Sequence, residues 1–424
     1  MDRIIAGKAV LSVALCLLAM VCLRVSSGPR KLEWSPFRLV ALFLALRIAI
    51  FVGCFIILKF EAQSDVLVYF SLARLVADGN IPGATDLVPM HYGPLFLYVM
   101  AFVIRLWDDP KAIIVFMVIC EFFSFVMWLS LGDKLVGKAT VVRAAILYAC
   151  CPLSIFAGVI AGNNDVLAGL FLTVGIVLAV ANRPAFSGAL LGLSVVASKA
   201  LTIVTGIPLF FASRSKFVWS VGAVLPVVIV YGLWMLLSVD VLAGFRFHAV
   251  HYSSGNLPFA LGLIGLDSAV PAVRLAINAI GAILVLAVAG LPLLQRRQIS
   301  QLDAIILIAA ANILFLLVGA KSFPHYVAIV LFPVTLALAM GKDQTRIFLL
   351  YVAYNVSASL ESSMWFRWFR NGSPVEVNKM LPNDVVHYAV FVTMEALLLA
   401  CYVVMFWGFV RLYLERGSTR ATAS

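Results

Sequence analysis

One acidic residue stands where a membrane-associated chain could do chemistry. Asp65 follows a long apolar run and opens a helical pattern in the segment Ser64 to Leu97. A carboxylate at a water interface is ionised near neutral pH and can act as a general base on a hydroxyl within hydrogen-bond reach. Ser64 has the type of a helix N-cap, and apolar positions, Tyr69 among them, follow at helical spacing. An acid in a first turn also complements the helix dipole. The residues alone therefore leave a catalytic and a structural role open.

Two polar elements follow at the ends of apolar runs. His91 and Tyr92 open the stretch His-Tyr-Gly-Pro-Leu. This stretch can shape a substrate groove, or it can be an aromatic belt with a helix-starting proline. Asn164 and Asp165 end the stretch Gly-Asn-Asn-Asp between two apolar runs. They can bind a hydroxyl-rich ligand or a cation, or they can cap a tight turn.

Basic residues near apolar runs form the third kind of candidate. Lys199 and Lys321 interrupt or end such runs, and a lysine at membrane depth is costly and a functional candidate by default. We expect both lysines to bind a ligand. Arg246 lies in a polar stretch, and Arg367 lies beside tryptophan. An arginine there can hold a phosphate or extend to lipid headgroups.

The composition predicts the elements that position these residues. The 424 residues are 63% hydrophobic and 12% charged, with a mean hydropathy of +1.07. Apolar runs of about 20 residues recur, as expected for transmembrane helices. We predict an all-α, polytopic membrane protein of about 13 spans, with residues 1–424 as one transmembrane domain. The net charge is +11, and the Lys and Arg residues lie mainly in short loops. This distribution is typical of residues that orient a membrane protein rather than of a nucleic-acid-binding surface.

Charge asymmetry predicts the orientation. The basic clusters share one side, the cytoplasmic one, if the piece from His91 to Trp107 does not cross the membrane. Residues 61–110 then form the first long non-cytoplasmic loop, with interfacial or re-entrant helices and Asp65. The run from Val10 to Leu23 is expected to be a retained first helix rather than a signal peptide.

These elements, in this order, resemble the GT-C superfamily of integral-membrane glycosyltransferases. The acid after an early span is matched by Asp65. A Tyr-x-Pro-Leu element is matched by Tyr92 to Leu95, and a Gly-Gln-x-Asp-like turn by Gly162 to Asp165. A Gly- and Leu-rich helix leading to lysine is matched by Gly188 to Lys199, and a late Lys-x-x-Pro-x-Tyr element by Lys321 to Tyr326. Within this superfamily, the set of motifs resembles the mannosyltransferase-like members most.

The resemblance implies a sugar transfer from a polyprenyl-phosphate-linked donor to a hydroxyl of a lipid or glycan acceptor. Asp65 would be the general base, with inversion at the anomeric carbon. The donor phosphate would be bound by Lys199, Lys321, Arg246 and Arg367, and the substrate groove would be lined by Tyr69, His91, Tyr92, Asn164, Asp165, His325 and Tyr326. Some members carry paired acids with a divalent metal, whereas this chain has Ser64 and Asp65. We therefore expect no metal or other cofactor, with a divalent cation as the less favoured alternative.

The predicted setting is cell-envelope glycan biosynthesis, in a bacterial inner membrane with the active site facing the periplasm or exterior. The expected partners are the donor, the acceptor and membrane lipids, with no nucleic acid. Two alternatives share the polar outer face: a transporter or flippase of lipid-linked saccharides, and a polymerase of such saccharides. No internal repeat of the kind common in transporters is visible.

Overall fold

The computed structural model describes residues 3–27, 33–84, 88, 92–244, 253–266, 271–295, 299–380 and 384–421. Every regular element within these ranges is helical. The first half contains α1 Arg3–Ser27, α2 Pro36–Phe51, α3 Asp65–Ala77, α4 Phe96–Leu106, α5 Pro110–Leu135, α6 Lys138–Ala149, α7 Pro152–Ile155, α8 Asp165–Val180, α9 Pro184–Ala197, α10 Thr202–Ala212 and α11 Lys216–Leu236. Two π-helical segments, Val52–Ile57 and Phe156–Ile160, continue α2 and α7.

The second half continues with α12 Leu257–Leu263, α13 Pro271–Ala289, α14 Leu291–Gln295, α15 Gln301–Val318, a 3₁₀-helix at Pro324–Val330, α16 Leu331–Ala339, α17 Gln344–Trp368, α18 Pro374–Met380 and α19 Val385–Ala421. The all-α prediction is confirmed.

Several helices start where the sequence supplies a cap. The carboxylate of Asp109 accepts a hydrogen bond from the amide of Lys111, and Pro110 occupies the first helical position of α5. Proline is suited to that position because its missing N–H has no intrahelical partner there. Ser300 and Asp303 form a reciprocal capping box at the start of α15. Ser64 precedes α3 as predicted, but its side chain makes no capping hydrogen bond and its φ is +68°. Ser64 therefore occupies the predicted N-cap position, but it lacks the side-chain hydrogen bond of a typical cap.

Membrane-spanning candidates are fewer than the prediction. Six described helices are long and apolar enough to cross, or up to seven if a pair bent by 49° counts as one span. The six are Arg3–Ser26, Pro36–Ile57, Pro110–Leu135, Lys216–Leu236, Gln301–Val318 and Val385–Gly417. Other apolar helices have only 10–17 residues. The count of about 13 stays a prediction.

The segment 61–110 contains two short helices, α3 and α4. α4 has 11 residues, and at about 1.5 Å per residue it is far shorter than a bilayer core of about 30 Å. It packs against α3 through a shared apolar cluster that also includes the first turns of α5 and α8. An interfacial position for the piece from His91 to Trp107 is compatible with this length.

The core is built around α15. In α15, 83% of the apolar window is buried, compared with 17% in α11. Helices α10, α13, α16 and α19 pack around α15. α15 is thus enclosed by protein, whereas α11 presents most of its apolar surface outward. The short helices α8 and α9 pack against each other, and their ends bring the candidate site together.

Candidate functional site

A buried ion pair lies at the centre of the site. Asp165 is the first residue of α8 and is fully buried. Its Oδ1 accepts a hydrogen bond of 2.7 Å from Nζ of Lys199, whose side chain keeps 19% of its surface exposed. The two residues are 34 positions apart, so only the packing of α8 on α9 makes the pair. Lys199 is therefore a cation held in place and partly accessible.

Two aromatic residues of the 3₁₀-helix complete this centre. Nζ of Lys199 lies 3.7 Å from the ring centroid of Tyr326, which is a cation–π contact. Nε2 of His325 lies 3.7 Å from Oδ2 of Asp165. Asp165, Lys199, His325 and Tyr326 thus form one contiguous cluster, called here the Asp165 cluster.

Close backbone approaches position the cluster. A Cβ at Gly169 of α8 would lie 2.9 Å from the carbonyl oxygen of Ala328, so the 3₁₀-helix packs directly against α8. A Cβ at Gly93 would lie 2.5 Å from the carbonyl oxygen of Val196. The amide of Leu95 donates to that same oxygen at 2.9 Å. The Tyr-Gly-Pro-Leu element is therefore fixed to the end of α9, directly before Lys199.

Asp65 and Lys321 belong to the same electrostatic neighbourhood. Asp65 is exposed in the first turn of α3, and its charge acts on Lys321, Tyr92 and Asp165. Burial, and then the charge of Lys199, lowers the pKa of Lys321 to about 8, while Asp65 opposes that shift. The site therefore combines an exposed carboxylate with two nearby lysines.

Tyr69 and Tyr92 form an aromatic wall beside Asp65. Their ring centroids are 4.9 Å apart in an edge-on arrangement, and Phe96 lies 4.9 Å from Tyr69. Burial raises the pKa of Tyr92, and the charge of Asp65 raises it further. Both phenols are consequently neutral hydrogen-bonding groups near neutral pH.

The turn before α8 carries polar atoms that the described protein does not satisfy. Oδ1 of Asn163, both side-chain polar atoms of Asn164 and Oδ2 of Asp165 are buried and make no hydrogen bond with described groups. Asn164 precedes α8 but does not cap it. Buried polar atoms nearly always have a partner. A tight turn alone accounts for the backbone, with Gly162 at φ +58°, but it does not account for these side chains.

The other predicted residues lie elsewhere or outside the described part. His91 and Arg246 fall in residues that the structure does not describe. Arg367 lies at the end of α17, where its charge acts on Lys8 of α1. Its predicted role in donor binding remains a prediction.

The buried charged groups absent from the predicted set include two pairs. Arg47 pairs with Glu121 in the helical core, and Glu361 and Glu395 lie together between α17 and α19. Each interrupts an apolar stretch, which is a signal for a structural or functional role at membrane depth. No group of three or more His, Cys, Asp or Glu side chains that could hold a metal occurs in the described ranges.

Comparison with known proteins gives one family. Residues 86–214 match the family described as alpha-(1->6)-mannopyranosyltransferase, N-terminal domain. This range contains Tyr92, the turn at 162–165 and Lys199. No curated protein matches the chain.

Two solved structures of ArnT from Cupriavidus metallidurans are similar, one in the apo state and one bound to undecaprenyl phosphate. They share 13% and 11% sequence identity with the chain, respectively, each with a TM-score of 0.49. Each alignment covers 88% of this chain and 76% of the other. At this TM-score the likeness carries no argument about function.

The matched range holds three of the elements on which the predicted resemblance depends, in the predicted order. The chain is an integral, multi-pass membrane protein, and its residues 86–214 are similar to the N-terminal domain of the alpha-(1->6)-mannopyranosyltransferase family.

Proposed function

We propose that this enzyme transfers a mannose-class sugar from a polyprenyl-phosphate-linked donor to a hydroxyl acceptor on the non-cytoplasmic face. The observation that supports this most is the exposed Asp65 carboxylate within the electrostatic reach of Lys321 and of the Asp165 cluster. A base and a cation at one place are what the transfer of a glycosyl group from a phosphate requires. The enzyme is proposed to be a single domain, 1–424, whose outer loop 61–110 supplies the base.

Asp65 is the general base in this proposal. It takes the proton of the acceptor hydroxyl as that oxygen forms its bond to the anomeric carbon. The bond between that carbon and the phosphate oxygen breaks, and the electron pair leaves with the polyprenyl phosphate. Asp65 ends protonated and releases its proton to water. An exposed carboxylate suits this step because the acceptor hydroxyl can come within hydrogen-bond reach of it.

The two lysines meet the charge that develops on the leaving phosphate. The ammonium of Lys199 has three N–H donors, of which Asp165 takes one. Lys321 adds a second positive charge, and its lowered pKa shows that it already lies in a poorly solvated place. Donors that are oriented in advance stabilise such charge strongly. Arg246 and Arg367 are proposed as secondary contacts of the phosphate.

The unsatisfied turn atoms fit the sugar. The side-chain amide of Asn164 and Oδ2 of Asp165 can form hydrogen bonds with sugar hydroxyls. The groove beside them is lined by Tyr69, Tyr92, His91, His325 and Tyr326.

Displacement by one base inverts the anomeric carbon. An α-linked product, which the description of the matched family names, would then require a β-linked donor.

Replacement of the base tests the mechanism. Asp65→Asn in purified, reconstituted enzyme is expected to lower kcat about 10²–10⁴-fold, the range for loss of a general base. Asp78→Asn is the matched control, since Asp78 is an exposed carboxylate at the other end of the same helix. Turnover of Asp65→Asn at the control's level, with equal protein in the membrane, excludes Asp65 as the base.

A labelled donor tests the reaction class. A radiolabelled polyprenyl-phosphate mannose is incubated with proteoliposomes and an acceptor that has a free primary hydroxyl. Label on the acceptor, with an inverted linkage by NMR, is the expected result. Label that moves unchanged between leaflets would indicate a flippase instead.

A further inference from the structure

Two glutamates lie side by side away from the proposed chemistry. Glu361 of α17 and Glu395 of α19 are 0% and 2% exposed, and both carboxyl groups lie in close contact with Gly255. The amides of Gly255 and Asn256 donate to Glu395 at 3.0–3.2 Å. Oε1 of Glu361 has no donor among the described groups if both carboxyls are ionised.

A shared proton resolves this arrangement. Two carboxylates cannot donate to each other, and burying two unpaired negative charges is very costly. One proton held between them supplies the missing donor and halves the charge. We propose that Glu361 and Glu395, called here the glutamate pair, share one proton. We further propose that the pair positions loop 253–256 and, through that loop, the segment that carries Lys321, His325 and Tyr326.

Gly255 is the first link from the pair to the site. Its φ is +77°, and a Cβ there would lie 2.9 Å from Cγ of Pro324 and 3.0 Å from Oε2 of Glu361. The loop backbone therefore fits between the pair and the first residue of the 3₁₀-helix. A displacement of Gly255 away from Glu395 removes the surface against which Pro324 packs.

Ser253 is the second link, and it bonds the residues on both sides of Lys321. Its Oγ accepts from the amide of Ser322 at 2.8 Å, and its own amide donates to the carbonyl of Ala320 at 3.3 Å. Nδ2 of Asn256 donates to the carbonyl of Ser253 at 2.8 Å, which fixes the loop internally. Both neighbours of Lys321 are thus bonded to a loop whose far end is bonded to Glu395.

The groups around the pair are consistent with a neutral partner rather than a cation. The phenol of Tyr402, on the same helix as Glu395, interacts electrostatically with both carboxyls, and the hydroxyl of Ser362 donates to Oε2 of Glu361 at 3.2 Å. Lys8 of α1 is a cation that contacts α17 close to the pair. Its Nζ donates to Ser363 at 2.7 Å, and its charge interacts with Arg367.

Neutral and apolar isosteres separate a shared proton from simple packing. Glu361→Gln supplies an N–H donor without a charge, whereas Glu361→Met supplies similar volume without a donor. Amide hydrogen exchange of a peptide covering 253–264 is measured by mass spectrometry in detergent, with Glu33→Met, at an exposed position, as the control. Protection equal to wild type is expected for Gln and the control. Protection lower by about tenfold is expected for Met, because a buried group loses its partner.

A comparison at alkaline pH gives a second readout that needs no apolar variant. Wild type is expected to lose protection at residues 255 and 256 relative to Glu361→Gln, because only wild type can lose the shared proton. The intrinsic exchange rate cancels in this ratio. Equal protection of wild type and Glu361→Met, a loss in Glu361→Gln as large as in Met, or equal alkaline behaviour of wild type and Gln would each overturn the proposal.

The link to the site is tested through donor use, and this part rests on the proposed function. Glu361→Met is expected to raise the KM for polyprenyl-phosphate mannose about tenfold with a smaller change in kcat, and Glu361→Gln restores it. An unchanged KM alongside lost protection would show that the glutamate pair holds the loop but not the donor site. A wild type that transfers no sugar would refute the proposed function and leave the exchange result intact.

Discussion

Two buried ion pairs in this molecule are built differently. Arg47 and Glu121 are 0% and 3% exposed, and every charged atom of the pair has a partner. The guanidinium bonds both oxygens of Glu121 and the carbonyl of Ala149, and Ser154 donates to Glu121. Lys199 and Asp165 make one hydrogen bond, and Oδ2 of Asp165 has none with the described groups.

We propose that the difference separates a structural pair from a functional one. A closed pair leaves no bonding capacity for a ligand, so its role is to hold α2, α5 and α7 together. An open pair keeps a partly exposed cation and an unsatisfied oxygen at the cost of stability, as functional sites commonly do. Four predictions test this contrast.

The largest effect on stability is expected at the closed pair. Arg47→Met leaves the Glu121 charge buried without its partner, which costs about 3–5 kcal/mol. The thermal midpoint of the purified protein in detergent should fall accordingly. The double variant Arg47→Met with Glu121→Gln should recover part of the loss, since it removes the stranded charge. A single variant as stable as wild type would show that the pair is not what joins these helices.

The open pair is expected to matter more for activity than for stability. Asp165→Asn removes the charge that orients Lys199, and a misplaced group near the reaction centre can cost about 10²-fold in rate. Sugar transfer should fall by about that factor, while the thermal midpoint falls less than in Arg47→Met. Asp133→Asn, at an exposed carboxylate, is the control. A stability loss as large as that of Arg47→Met would remove the distinction between the pairs.

The pH dependence of donor capture sharpens the electrostatics of the open site. The pKa of Lys321 is lowered to about 8, so its charge is present below that pH and lost above it. The kcat/KM for the donor should therefore decrease as pH rises through about 8, because this parameter follows the free enzyme. Lys321→Arg keeps its charge and should move the decrease to higher pH. An unchanged profile in that variant, with Lys342→Arg as control, would contradict a phosphate role for Lys321.

The smallest effect is expected at an exposed ion pair within the segment 61–110. Arg74 of α3 bonds Asp108 after α4, with side chains 54% and 63% exposed. Exposed ion pairs contribute little because water and salt screen them. Arg74→Ala should leave both the thermal midpoint and sugar transfer unchanged within error. A marked loss of either would mean that α3 depends on this contact to present Asp65.

The sequence was sufficient for the fold class and for marking candidate site residues. Apolar run length predicts helices, and the cost of charge at membrane depth marks Lys199 and Lys321. The sequence was insufficient for partners. The pairing of Asp165 with Lys199 depends on how α8 packs against α9. The glutamate pair joins positions on two long helices that no local pattern connects. The span number is also hard to read, because a bent or broken helix has the same hydropathy as a straight one.

The contact between the Tyr-Gly-Pro-Leu element and α9 has a consequence for local unfolding. The last carbonyls of a helix have no hydrogen-bond partner within it. Here the amide of Leu95 donates to the carbonyl of Val196, and the amide of Gly93 donates to the carbonyl of Ser198. The loop is thus the C-terminal cap of the helix that delivers Lys199. The end of α9 and the loop should open as one cooperative unit. The amide hydrogens of Leu95 and of the final turn of α9 should therefore exchange with solvent with the same free energy of opening.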